Sequence, residues 1–198
     1  MMTTEKEDLS IISIAQSFDS EFIALVKSFA VIEDSSDTSQ CQRDGATAVI
    51  DLAIEFEKFN QLCTMENFAK VLGRLSDIQV RDFALGSHNR ESFLTYFAMW
   101  RYLLQIAPVG FVAPVACLFA TLAYEHGDTP LAYRALDRAT LDQPEYSLTV
   151  LLRRVFGSGW PAAALPQCAL SYTLKSLREF SNNPPHLLES TQVTSSSV

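Results

Sequence analysis

Three groupings of residues have the types and spacing for chemistry. Arg81 and Asp82 are adjacent opposite charges that could act as a reactive pair, and Arg134 and Arg138 stand one helical turn apart as an anion site would require. Histidines at 88, 126 and 186 could move protons near neutral pH. Each has a competing structural reading. Arg81 and Asp82 fit an ion pair on or between helices. The two arginines fit surface pairs with Asp137, Asp142 or Glu145. His126, just before Gly127, fits the end of a helix, where positive charge offsets the helix dipole. His88 falls in a turn and His186 in a polar tail. Glu55 and Glu57, two apart, point in different directions from a helix and make a poor acid–base pair.

The common catalytic frameworks are missing. The chain has no nucleophile elbow, no P-loop, no G-x-G-x-x-G turn and no H-E-x-x-H helix. Cys41, Cys63, Cys117 and Cys168 are 22, 54 and 51 residues apart, with no C-x-x-C and no neighbouring histidine. The sequence therefore assigns no catalytic residue, no cofactor and no metal ligand. Reduced thiols and an MMTTEKED start, which lacks a basic stretch followed by an apolar run, lead to the expectation of a cytoplasmic protein.

Any function must be carried by the elements that position these groups. With 198 residues and 48% hydrophobic composition, the chain can bury a core, and the length suits one domain plus an accessory segment. A net charge of −8 argues against nucleic acid as a partner. The charge is uneven: residues 1–68 hold 13 acids and 4 bases, while residues 69–181 hold 9 and 11. This predicts an acidic, helical N-terminal layer over 1–68, a helical core over 69–181 and a disordered tail over 182–198. The 22 uncharged residues from Leu103 to Tyr124 could span a bilayer, but Pro108, Gly110 and Pro114 break them. A membrane role is not expected.

Apolar spacing predicts helices throughout. Thr4 with Glu7 forms a capping box ahead of Ile11, Ala15, Phe18, Phe22, Leu25 and Phe29, spaced by three or four. A polar loop is expected over 33–43, and Asp44 is expected to cap the next helix. Thr64, Ser76, Asn89, Pro114 and Thr129-Pro130 mark further helix starts, Gly86 and Gly127 mark stops, and Pro144 precedes a helix ending near Gly157. Leu170, Leu174 and Leu177 mark a last amphipathic helix, and Trp160 is expected to cover a core edge. No alternating run predicts a sheet, so the fold class is all-α.

One stretch follows a 34-residue helix-turn-helix pattern. From Ala113, Phe119-Ala120 take the Leu-Gly place, Gly127 ends the first helix, Ala132 and Ala139 take the small positions of the second, Leu136 the large one, and Pro144 closes the unit. Ala116 and Ala123 replace the pattern's Trp and Tyr. A unit from Gln79 is degenerate, so other helices must cap a tetratricopeptide-like hairpin.

Further residues carry a family resemblance. Arg81-Asp82, Trp100, Ala107-Pro108, Gly127-Asp128, Ala132, Ala135-Leu136, Arg138-Ala139, Pro144, Tyr146-Ser147-Leu148 and Gly159 occur in order over about residues 68 to 165. This stretch resembles the C-terminal part of the largely actinobacterial domain of unknown function 4192 family. The resemblance implies an uncharacterised protein and supplies no mechanism. Members of that family usually open with a longer α/β portion, whereas the first 68 residues here look helical.

The tetratricopeptide analogy places Cys117, Thr121 and Tyr124 on a stripe that would line a concave groove. Thr121 and Tyr124, with Arg90 from the preceding helix, are the expected contacts for a protein or peptide partner. A cytoplasmic interaction module is thus the functional expectation, more than an enzyme. The rival is a small-ligand carrier or enzyme with a site between helices.

Overall fold

The apolar periods become eight α-helices, with no strand, among residues 20–31, 38–59 and 64–161, the residues described in a computed structural model of the chain. They are α1 (Ser20–Ala30), α2 (Thr38–Phe59), α3 (Met65–Arg74), α4 (Ile78–Leu85), α5 (Phe93–Ile106), α6 (Val112–Glu125), α7 (Thr129–Asp142) and α8 (Ser147–Gly157). The fold is all-α, as the composition and periodicity require.

Helix α6 is the axis of the arrangement because its sequence leaves it nothing to show to water. No charge occurs from Val112 to Tyr124, and all thirteen of these residues are buried. A helix that is apolar all round needs neighbours on every side, and α4, α5, α7 and α8 surround it. Ala132, Ala135 and Ala139 on α7 are fully buried and let its backbone lie close to α6. The turn between these two helices closes on Gly127, at φ +88°. Its amide donates to the Tyr124 carbonyl and the Asp128 amide to the Ala123 carbonyl, which together finish α6.

The remaining helices extend the same core. Helix α2 packs on α3, α4 and α5, and α1 on α3. A single apolar cluster runs from Phe22 on α1 through Trp100 on α5 to Phe156 on α8. Gly73 permits the closest approach, since a Cβ there would stand 2.5 Å from the Val26 carbonyl oxygen of α1.

Several helix boundaries differ from the sequence expectation, each for a local reason. Helix α2 begins at Thr38, so residues 38–43 are helical rather than loop, and Asp44 lies inside the helix, where it accepts from Gln40 Nε2 at 2.8 Å. The cap of α4 is Asp77, not Ser76, because its carboxylate reaches the Gln79 amide at 2.7 Å. Asn89 closes a turn one step before α5 by accepting from the Glu91 and Ser92 amides. Helix α6 starts at Val112, with Pro114 as its third residue, where the missing N–H costs little. Asp128 caps α7 through the Leu131 amide at 2.9 Å, and Thr129 is the first helical residue. Thr64 and Gly86 act as expected, as N-cap and C-cap.

The helix expected from Thr4 is seen from Ser20 onward; its first part, residues 32–37, the helix on Leu170, Leu174 and Leu177, and the tail over 182–198 lie outside the described residues. No helix among the described residues is long and apolar enough to cross a membrane. The uncharged stretch from Leu103 to Tyr124 is split between α5 and α6 by a turn at Pro108 to Phe111.

Candidate functional site

Three polar clusters are built into the bundle. The first joins α4, α6 and α8. Arg81 on α4 points inward, and its Nε and Nη2 donate to Asp82 Oδ1 at 2.9 and 2.7 Å. Its Nη1 donates to the Tyr146 hydroxyl at 3.3 Å, and the guanidinium carbon stands 5.6 Å from that ring's centre. Burial works against the guanidinium charge, but Tyr146 and Asp82 outweigh it and hold the Arg81 pKa above its ordinary value. Burial likewise raises the Tyr146 hydroxyl, with Arg81 pulling the other way. The Arg81–Asp82 pair thus works as an ion pair that also ties α4 to the start of α8, across 65 residues of sequence.

Cys117 lies beside this cluster, its sulfur 3.2 Å from Thr149 Oγ1 on α8. Burial pushes its thiol up to about 12, so it stays protonated and is a poor nucleophile. Iodoacetamide at pH 8.5 should leave Cys117 unmodified in the native chain and modify it in urea, as read by peptide mass spectrometry. The same shift couples folding to pH. The unfolded thiol releases its proton near pH 9 and the folded one near 12, so this thiol's contribution to stability is constant below pH 9 and falls above it, by up to ~1.4 kcal/mol per unit. Cys117→Ala should flatten this fall in urea midpoints measured from pH 8 to 10.5. A native midpoint that does not move to pH 10.5 contradicts it.

The second cluster closes the other end of α6. His88 Nε2 lies 2.8 Å from Glu125 Oε2, and both side chains are buried. The rings of Phe93 and Tyr96 wall the imidazole, and its Nδ1 and Glu125 Oε1 are sealed from solvent. The pair lies almost wholly inside the bundle and ties the α4–α5 connection to α6. His126 is the C-cap of α6, and its ring stacks on Phe93 at 6.0 Å and lies 5.7 Å from Phe97. No grouping of three or more metal-binding side chains occurs among the described residues.

The third cluster is a clamp. Asp142 at the end of α7 accepts from the Gly110 amide at 2.7 Å and from the Val112 and Ala113 amides at 3.1 Å each. A carboxylate from one helix thereby caps another, satisfying amides the helix cannot pair itself and meeting its positive end. Gln143 Nε2 returns a bond to the Gly110 carbonyl at 2.8 Å. Next to the clamped backbone stand Val109 and Leu141, 82% and 83% exposed. An open groove of about 720 Å³, lined by residues 142–147, continues from the clamp.

The residues expected to contact a partner are not brought together. Thr121 is buried and donates to the Cys117 carbonyl at 3.0 Å. Tyr124 stacks flat on Phe156 of α8, centroids 4.1 Å apart, and its hydroxyl donates to the Trp160 carbonyl at 2.8 Å. The stripe that would have lined a groove is the face on which α8 packs, and the groove is filled. Arg90 is exposed in the turn before α5, at the far end of a helix about 21 Å long from the clamp. Trp160 contributes its carbonyl while its ring stays partly exposed, so it is a tether more than a cover. Asp137 pairs with Arg153, and Asp142 accepts from the amides of the clamp.

Sequence reasoning missed the clamp and the His88–Glu125 pair. Asp142 carried a faint signal, an acid at a helix C-terminus where the dipole disfavours it. His88 carried none.

A family model described as a domain of unknown function (DUF4192) matches residues 9–163. The match includes α1 and α2, whereas the motifs read from sequence began at about residue 68. Searches of the curated proteins and of the solved structures returned no match.

Proposed function

The chain belongs to the DUF4192 family, and on that premise we propose that it works in the cytoplasm as a protein-interaction module whose docking surface is the clamp end of α6 and α7. The observation that carries this reading is the pair Val109 and Leu141, almost fully exposed on backbone segments that Asp142 and Gln143 bind to one another. A partner that covers two large aliphatic side chains held on ordered backbone need not order that backbone first. The groove along residues 142–147 gives an extended segment room beside them. A peptide or helix with apolar anchors suits this surface. Among the described residues Cys41 and Cys117 form no disulfide, which agrees with a reducing compartment.

The order of packing supports a tetratricopeptide-like arrangement over α4 to α8: α6 meets α4 and α5 before it and α7 and α8 after it. The groove of that analogy, on Thr121 and Tyr124, becomes reachable only if α8 leaves, and those residues with Arg90 are not part of the surface proposed.

The experiment is quantitative affinity capture with the native chain beside Val109→Asp with Leu141→Asp. Both positions are exposed, so the double variant should keep its fold by circular dichroism and lose the partner by about tenfold or more. Equal retention by both chains refutes the surface. The rival, a small-ligand carrier, has its place in a cleft of about 440 Å³ between the end of α1 and the α3–α4 turn, where Arg74, Asp77 and Gln42 lie. A thermal shift of several degrees with a metabolite would favour it.

A further inference from the structure

The turn from α3 to α4 presents an arginine with no acceptor among the described residues. Arg74 is the last residue of α3, and Gly45 on α2 makes room for its stem, since a Cβ at 45 would stand 3.1 Å from Arg74 Cβ. The packed stem carries Nε to a place sealed from water, where it meets no partner. The two terminal nitrogens make no hydrogen bond or ion pair with the described residues either, but they are not sealed. A positive charge in the last turn of α3 offsets the helix dipole. That effect is served as well by a fully hydrated side chain, and it does not account for a half-buried guanidinium whose inner N–H lacks an acceptor.

Arg74 lines the cleft of about 440 Å³ between the end of α1 and this turn. The acid in the same cleft is directed elsewhere. Asp77 Oδ1 accepts from the Gln79 amide at 2.7 Å and Oδ2 from Gln42 Nε2 at 3.0 Å, so its charge serves the positive end of α4. The rest of the lining is mixed. Half-buried Phe29 and Ile78, 59% exposed, give it an apolar wall, and Ser76 adds a hydroxyl. A cationic fork, a hydroxyl and two large apolar side chains thus surround a volume of the size that holds a small molecule.

We propose that this cleft binds a small organic anion, whose carboxylate or phosphate group pairs with the terminal nitrogens of Arg74 and whose apolar body lies against Phe29 and Ile78. Carboxylate and phosphate oxygens both match the guanidinium fork in a two-bond contact. A neutral or cationic ligand would leave Arg74 without its acceptor. Covering Ile78 removes apolar surface from water, which favours an anion with a hydrocarbon part over a bare inorganic one. The cleft is built on α1 to α4 and the clamp on α6 and α7, so the two sites are independent.

The test is isothermal titration of the full chain with hexanoate, hexyl phosphate, inorganic phosphate and neutral hexanol. At least one of the first two should bind with a Kd of about 1 mM or lower, and hexanol about tenfold or more weakly. Which of the two binds tells a carboxylate site from a phosphate site. Arg74→Met should weaken that binding about tenfold or more while the fold, read by circular dichroism, is kept. Ile78→Asp, at an exposed position, should weaken it similarly by setting a negative charge in the apolar wall, and it decides the matter if the Arg74 variant unfolds. Val109→Asp with Leu141→Asp should bind the anion as the native chain does, so failure of either surface leaves the other standing. No binding of either organic anion, equal binding of hexanol, or binding unchanged in the folded variants overturns the proposal. Inorganic phosphate held as tightly as hexyl phosphate leaves no role for Phe29 and Ile78 and overturns it as well.

Discussion

Asp142→Ala is expected to lower the stability of the folded chain by about 3 kcal/mol, and with it the affinity for a partner. The carboxylate accepts from three amides, those of Gly110, Val112 and Ala113, and Val112 and Ala113 are buried. A hydrogen bond to a charged group is worth roughly 1.5 to 3 kcal/mol, and a buried donor left without an acceptor keeps its full desolvation cost. The start of α6 also loses the negative charge beside its positive end, worth ~0.5 kcal/mol more. These terms do not add fully, because water reaches the Gly110 amide once the side chain is gone. Asp142→Asn keeps one carbonyl acceptor and should lose about a third as much. Urea unfolding of the three proteins at pH 7 measures the series. A loss below ~1 kcal/mol for the alanine variant would show that α6 does not depend on the clamp for its start.

Gly73→Ala is expected to cost about 3 kcal/mol where the same change in an open helix gains about 1. The reversal of sign follows from what a Cβ would meet. It would stand 2.5 Å from the Val26 carbonyl oxygen, 2.7 Å from Phe29 Cβ and 3.0 Å from the Ala30 amide nitrogen, two of them backbone atoms of α1. Backbone cannot rotate aside, so α1 must lift from α3. Gly45→Ala offers a contrast, for its nearest neighbours are the Val80 methyls at 2.8 and 3.1 Å and Arg74 Cβ at 3.1 Å, which are side-chain atoms. It should cost about 1 kcal/mol. Hydrogen exchange in α1 should rise sharply in the Gly73 variant and little in the Gly45 one. Equal stabilities for Gly73→Ala and the native chain would mean that α1 does not pack on α3 at this distance.

The helices were legible because helix formation here is local: apolar periods of three and four, Thr64 as a cap and Gly86 and Gly127 as stops are written within a few residues of where they act. Boundaries slipped where two residues compete for one role. Ser76 and Asp77 are both good caps, and the carboxylate with a free path to the Gln79 amide won. The polar run over 38–43 looked like a loop, yet its Gln40, Arg43 and Asp44 side chains bond along a helix. The family was legible from motif order, although the sequence reading restricted it to the later half. The site was far less so. Thr121 and Tyr124 were placed on the right helix, but which face of α6 is open depends on α8, and nothing at positions 117 to 124 encodes where α8 packs. Asp142 acts across about thirty residues and His88 across 37, and contacts at such separations leave no mark in local spacing.

The reading of this chain as an interaction module meets its most direct test in site-specific photocrosslinking. A photoreactive residue is placed singly at Val109, Leu141, Ile78 and Leu94, all exposed, and the four proteins are irradiated in cells. The account predicts a shared adduct of the same mass from positions 109 and 141, and none from 78 or 94. Adducts formed alike at all four positions, or none at 109 and 141, would contradict it.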